Sequence, residues 1–267
     1  MMMKHKSETI SLIAALLILI PALTFSAEVS ISVSPIRMEH LVKQGERGTD
    51  VISVTNSGTA PTRLKVSIED WSLTKDGNPI FTKVENGPHS CAAWIRINPV
   101  DFRIGPGQIK DVRYTVTVPQ GIDEGGYRAA VIFETIPDPV PGEKVKRVLL
   151  KGRIITIVYE IVGNPIPQGH ANGLRAEMKE GGIDFILGLQ NTGRVHYRTK
   201  GSINVKTSSG DKVFEVELPD VPVLPGSERE VKVHYDKPIS RGTYTALAIL
   251  DIGKKELIGS ETTFSVE

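Results

Sequence analysis

The side chains that could carry a metal, a proton or a nucleophile are dispersed along this chain of 267 residues. The six histidines, His5, His40, His89, His170, His196 and His234, include no i, i+4 pair and no His-x-His. None of the spacings that bring two imidazoles to one metal is therefore present. The chain has no Gly-x-Ser-x-Gly elbow, no His-Glu-x-x-His and no phosphate-cradling glycine loop. His89, Ser90 and Cys91 set a base beside two types of nucleophile, but adjacent residues of a strand point to opposite faces, which makes that pairing poor. Cys91 is the only cysteine, so no disulfide can form within the chain. A buried small hydrophobe is the stronger reading of it, with a mixed disulfide to another chain as the alternative. Lys and Arg number 32 and Asp and Glu 31, without the basic clusters that nucleic acid requires. These residues point away from an enzyme, and they call for no metal, cofactor, nucleic acid or small-molecule substrate.

The N-terminus speaks to location. Lys4 and Lys6 precede an apolar run from Ile10 to Ile20, broken only by Ser11, and Pro21, Ser26 and Ala27 follow. A basic, then apolar, then small-residue order of this length is that of a secretory signal peptide. The run is well short of the ~20 residues that span a bilayer as a helix. Cleavage after Ser26 is preferred, because cleavage after Ala27 would put bulky Phe25 at the −3 position. A retained anchor is the alternative. Removal of residues 1–26 takes the formal net charge from +1 to about 0. No later stretch is apolar enough for a membrane helix, so the exported chain is expected to be soluble.

From residue 27 onward the sequence reads as strands. Runs rich in Val, Ile and Thr are separated by Gly, Pro, Asn and Asp at roughly 8–12-residue spacing, the pattern of a sandwich or barrel. Leu64, Val66 and Ile68 alternate with Lys65, Ser67 and Glu69, and 112–118 alternates as Val-Arg-Tyr-Thr-Val-Thr-Val. One face of each can enter a core while the other meets water. An internal duplication organises the whole. Asn56-Ser57-Gly58, Pro106-Gly107 and Tyr127 recur as Asn191-Thr192-Gly193, Pro225-Gly226 and Tyr244. Asn to Pro spans 50 residues in the first copy and 34 in the second, so the first carries about 16 extra, around 72–92. The Asn-x-Gly pairs are expected to close a strand with a turn at positive φ, the Pro-Gly pairs to open a strand, and the tyrosines to make tyrosine corners. The expected class is all-β, two immunoglobulin-like β-sandwich domains in tandem. Their bounds are 27–163 and 164–267, joined near Gly163-Asn164-Pro165-Ile166-Pro167.

The order of motifs in the first copy resembles the PapD-like chaperones of the chaperone–usher pathway. Four stretches carry the likeness. They are Val33-Ser34-Pro35-Ile36-Arg37, Val54-Thr55-Asn56-Ser57-Gly58, Phe102 to Gln108 with Val112-Arg113, and Tyr127 to Phe133 followed by Ile136-Pro137. The resemblance implies a periplasmic protein with two such domains set in an L. It would lend an edge strand to a pilin-like or other secreted β-rich subunit, with an outer-membrane usher as a further partner. In physical terms this is β-augmentation, in which main-chain hydrogen bonds give affinity and alternate side chains fill an apolar groove. The donor strand is expected at 147–156, with Val148, Leu150, Ile154 and Thr156 as its residues. Val148, Leu150 and Ile154 fall on one face. Arg147, Lys151 and Arg153 fall on the other, interrupted by Leu149, and from Ile154 to Val162 the run is nearly all apolar.

The resemblance also implies two basic residues that hold the subunit's terminal carboxylate. Arg37 matches the first, and a guanidinium can take a carboxylate through two parallel hydrogen bonds. The second, a lysine on the last strand, falls on Ile155, or on Thr156 with one residue of slack, so the likeness breaks there. Arg37 then acts with another cation, or the fold is used differently. An ordinary surface arginine and an ordinary core strand are the plain alternatives for these residues. A structural or adhesive module at the cell surface is the alternative function.

Overall fold

The computed structural model describes residues 30–84, 87–137 and 151–267. The signal segment and the donor-strand residues Val148 and Leu150 lie outside them. Among the described residues all regular structure is β apart from one 3-10 turn, Ala92–Trp94.

The first sandwich contains β1 (Ile31–Ser34), β2 (Arg37–Val42), β3 (Arg47–Asn56), β4 (Thr62–Leu73), β5 (Pro79–Thr82), β6 (Ile95–Asn98), β7 (Asp101–Ile104), β8 (Ile109–Thr117), β9 (Gly125–Ile136) and β10 (Arg153–Val162). One sheet runs β1-β3-β8-β6, and the other runs β2-β10-β9-β4-β5 with β7 also on β4. The chain changes sheets at Pro35, whose bond to Ser34 is cis. On one side β1 pairs with β3, and on the other β2 pairs in parallel with β10. Alternation decides which face is inward. Leu64 and Val66 of β4 and Val112, Tyr114 and Val116 of β8 are buried, while Arg63, Lys65 and Arg113 between them are exposed. Ile52, Val54, Phe133 and Val158 complete the core, and Cys91 is fully buried beside them. Burial pushes its thiol pKa well above the usual range, which leaves it a packing residue.

The second sandwich contains β11 (Gly169–Lys179), β12 (Gly182–Asn191), β13 (Tyr197–Arg198), β14 (Lys200–Thr207), β15 (Lys212–Glu217), β16 (Pro222–Val223), β17 (Glu228–Tyr235), β18 (Gly242–Asp251) and β19 (Ile258–Val266). Its sheets run β11-β12-β17 and β15-β14-β18-β19, with β13 and β16 as a separate small pair. Phe185, Leu187, Leu189, Ile203, Val205, Ala246, Ala248 and Leu250 fill its core.

The repeated motifs do the same work in both copies. The buried Asn56 amide donates to the carbonyls of Ala60 and Ile104, at 2.9 and 3.1 Å. Asn191 donates to Val195 and Val223 at 2.9 and 2.8 Å. The Tyr127 hydroxyl donates to Asp123 O at 2.9 Å and that of Tyr244 to Ser240 O at 2.8 Å, so each makes a tyrosine corner four residues upstream. One expectation is corrected. Gly58 and Gly193 are not among the glycines with positive φ; the left-handed residues are the glycines of Pro-Gly, Gly107 and Gly226, both at φ 69°. In the Asn-x-Gly pairs the glycine amide instead donates to the asparagine Oδ1, at 2.9 and 2.8 Å. Lack of space also asks for glycine in the second copy, where a Cβ on Gly193 would stand 2.9 Å from the Gln168 nitrogen.

Candidate functional site: an open strand edge beside an interdomain cleft

Strand β10 is the part of the first sandwich whose two edges are treated differently. On one side it pairs with β9 along its whole length, Arg153 to Val162. On the other side β2 covers only Ile157 to Val162. The stretch 153–156 therefore has no strand on its second edge among the described residues. Gly152 O accepts from Thr135 on the β9 side, whereas Ile157 N donates to Ile36 O on the β2 side, at 2.9 Å each. Main-chain groups alternate along a strand. Arg153 and Ile155 consequently turn their N–H and C=O groups toward the open edge, as β-augmentation needs.

The upper half of β10 is closed by more than the ladder. Glu160, fully buried, accepts a hydrogen bond from the Tyr114 hydroxyl and lies 3.2 Å from His40 Nδ1 on β2. His40 Nε2 reaches Asp50 at 3.5 Å. The Glu160 hydrogen bond is the main cause that raises the His40 pKa above 6.5. Burial, with the Glu160 carboxylate next, pushes the Tyr114 phenol far above its usual range. Thr156 marks the point where cover ends, its hydroxyl donating to Pro35 O at 2.9 Å.

The two faces of β10 look in different directions. Ile154, Thr156 and Val158 face the core of the first sandwich: Ile154 is half-buried against it, and Thr156 and Val158 are fully buried. Ile155, Ile157 and Tyr159 face the other way, toward the second domain, together with Trp71. They form one wall of a cleft of about 710 Å³, whose lining also includes Pro35, Ile36, Arg37, Leu73, Pro79, Phe81, Arg198 and Pro222. Arg37, the residue singled out by sequence, is thus exposed at the cleft and level with Ile157 in the β2–β10 register. Ile155 is in the cleft as well. Arg153 sits at the open edge, where its Nη2 meets Glu69 Oε1 at 2.6 Å and its guanidinium carbon lies 5.9 Å from the centre of the Phe81 ring.

The cleft floor is also the seam between the domains. Tyr159 meets Trp71 edge-on at 5.7 Å and stacks on His196 of the second domain at 4.0 Å and 22°. Burial pushes the Tyr159 phenol up to about 12, so it stays neutral in this apolar seam. His196 Nε2 lies 3.5 Å from Glu39 Oε2, and that contact is the first cause of the lowered Glu39 pKa. Gly126 N donates to Arg194 O at 2.7 Å. The extra residues of the first copy make a further bridge. The β4–β5 hairpin carries Lys75, whose carbonyl accepts from Glu230 N at 2.8 Å and whose ammonium pairs with Glu228 at 3.2 Å.

Several of these residues carried no signal as functional ones. Trp71, Phe81, Tyr159, His196 and Arg198 come together only through contacts distant in sequence. The one available clue was the insertion around 72–92, present in a single copy, which supplies Leu73, Gly77, Pro79 and Phe81 to the cleft. His89, Ser90 and Cys91 do not form a catalytic pair. His89 Nδ1 lies 3.2 Å from Gly126 O, and the Ser90 hydroxyl is given to Asp70. Among the described residues no group of three His, Cys, Asp or Glu could hold a metal, and no helix is long and apolar enough to cross a membrane.

No protein-family model matches the chain, and no curated protein matches it in sequence. Solved structures do match over nearly its whole length. One belongs to a chaperone–tip adhesin complex described as vital for synergistic activation of CFA/I fimbriae biogenesis. It is 12% identical, covers 88% of this chain and 98% of that one, and has a TM-score of 0.49. The chain is similar to pilus chaperones. A second match is the class 5 fimbriae chaperone CfaA, at 14% identity, 87% and 99% coverage and a TM-score of 0.47. A third comes from the CsuC–CsuE chaperone–tip adhesion subunit pre-assembly complex of the Csu pili of Acinetobacter baumannii, at 15%, 87% and 98%, with a TM-score of 0.45.

Proposed function

We propose that this chain is a periplasmic chaperone that binds and caps secreted pilin-like or other β-rich subunits by lending them the strand 147–156. The observation that carries the reading is the half-covered β10. Among the described residues its main chain is open at Arg153 and Ile155 and closed from Ile157 onward. An open edge is a liability that folded proteins usually cover, and this one lies beside an apolar cleft holding an arginine. Main-chain bonds along the edge would supply affinity, and Val148 and Leu150 would supply side chains for the groove of the partner, while Ile154, half-buried against its own sandwich, would mark where the two cores meet. Arg37 would hold the partner's terminal carboxylate. The signal-peptide pattern of residues 1–26 supports export.

The test is a native pull-down from periplasm through a C-terminal tag, with mass spectrometry of the chains that co-purify. The expected result is a small secreted β-rich subunit near 1:1, lost in Leu150→Glu with the melting temperature unchanged. Loss of capture only together with unfolding would contradict the reading. A second reading, an adhesive or structural module at the cell surface, is favoured by the absence of a basic residue at Ile155 or Thr156, where the resemblance implies a lysine. It predicts a protein found at the cell surface that retains no unassembled subunit.

A further inference from the structure

The charged lining of the cleft comes from both domains. Eleven of its thirteen lining residues carry no formal charge, and the two that do are Arg37 from the first sandwich and Arg198 from the second. Among the described residues Arg37 makes no hydrogen bond or ion pair. Arg198 is held from behind, its Nε donating to Asp220 Oδ1 at 2.6 Å and its Nη2 to the Asp220 carbonyl. That leaves the Nη1 donors without a partner among the described residues. The nearby carboxylates stand outside the lining. Asp220 is engaged by Arg198, and Glu39 is held by His196, with weaker help from Arg37 and Arg198. The lining therefore presents two guanidiniums and no carboxylate among apolar walls, which screen the attraction for an anion less than open water does.

We propose that Arg198 is the second cation of this site, so that a partner's chain-terminal carboxylate is held between one guanidinium from each domain. The inference rests on reading the cleft as a seat for the partner. It also accounts for Ile155, since a charge brought from the second domain removes the need for a cation on the last strand. Fixed and partly spent on Asp220, Arg198 supplies donors in a preset orientation. The walls choose the rest of the ligand. Trp71, Phe81, Ile155 and Ile157 suit an extended peptide with alternating apolar side chains, not a small free anion.

The probe is a synthetic ten-residue peptide alternating Val and Thr, made with a free C-terminal carboxylate and as the amide. Binding is measured by calorimetry to the whole protein and to Arg37→Ala, Arg198→Ala, Arg198→Gln and Arg198→Lys. Charge-assisted hydrogen bonds of this kind correspond to ~10- to 100-fold in affinity. The acid is expected to bind wild type more tightly than the amide by that factor. The ratio of acid to amide affinity should fall to about one in Arg37→Ala and in both neutral Arg198 variants, and the preference should survive in part in Arg198→Lys. A preference lost in Arg37→Ala but retained in Arg198→Ala and Arg198→Gln would overturn the role of Arg198 and leave the Arg37 reading standing. No preference in wild type, or no binding of either form, would overturn both.

Discussion

In the first sandwich Asn56 ties a turn carbonyl to a strand-end carbonyl and takes the amide of Gly58; in the second, Asn191 repeats each of those bonds with Val195, Val223 and Gly193. The tyrosine corners repeat as faithfully. The copies part company at the edges. In the second, β19 pairs with β18 from Ile258 to Val266, and β11 runs beside it. In the first, β2 stops at the level of Ile157, and an extra hairpin folds over toward the second domain. The shared devices keep two sandwiches standing, and the differences give the first a hairpin reaching the second domain and a last strand covered along only part of its second edge among the described residues. The proposed function rests on these additions to the first copy.

The largest effects should come from breaking what the copies share. Asn56→Ala or Asn191→Ala strands two buried carbonyls and a glycine amide, and each should cost its own domain about 3 kcal/mol. Both tryptophans, Trp71 and Trp94, lie in the first sandwich, so fluorescence and circular dichroism during urea unfolding separate the domains. Unequal costs would mean that the two brackets are not equivalent. Tyr127→Phe and Tyr244→Phe remove one hydrogen bond each and should cost about 1 kcal/mol.

A smaller effect separates the copies by pH. The contact with Glu160, and more weakly that with Asp50, raises the His40 pKa above 6.5. A raised histidine stabilises fully below its unfolded value and loses that contribution as pH rises through its folded value. The first sandwich should therefore weaken as pH climbs from 6.5 upward, and His40→Gln should flatten the slope. In the second sandwich Lys232, then His234, lower the Asp184 pKa below 3.8. That contribution is present above 3.8 and is lost as pH falls through the depressed value. Tryptophan-detected melting from pH 5 to 9 checks the first, and acid titration by circular dichroism checks the second. The smallest effect is expected for Arg194→Ala. It removes an exposed ion pair with Asp123 at 2.7 Å across the domain seam, and its stability change should stay within about 0.5 kcal/mol.

Much of the fold was legible because part of each closing device is local. Tyr127 and Tyr244 bond four residues upstream, Asn56 and Asn191 bond within their own turns, and alternation along β4 and β8 needs no tertiary knowledge. The same asparagines also reach Ile104 and Val223, 48 and 32 residues away. The φ of Gly58 and Gly193 was misjudged because a side-chain bond from Asn can shape the turn without a left-handed residue. The cleft was less legible for a different reason. Arg37 stood out through its neighbours in sequence, but Trp71, Tyr159, His196 and Arg198 meet only when two domains pack. Thr156, read with the donor strand, has its hydroxyl bonded to Pro35 O, a contact that no spacing discloses.

The most direct test of the open edge is amide hydrogen exchange across 151–162 in the free protein and with a captured subunit bound. The amides of Arg153 and Ile155 are expected to exchange fast in the free protein and to become protected in the complex. Those of Ile154 and Thr156, bonded to β9, should be slow in both. Protection that appears on capture only in loops, with Arg153 and Ile155 still exchanging freely, would contradict strand donation.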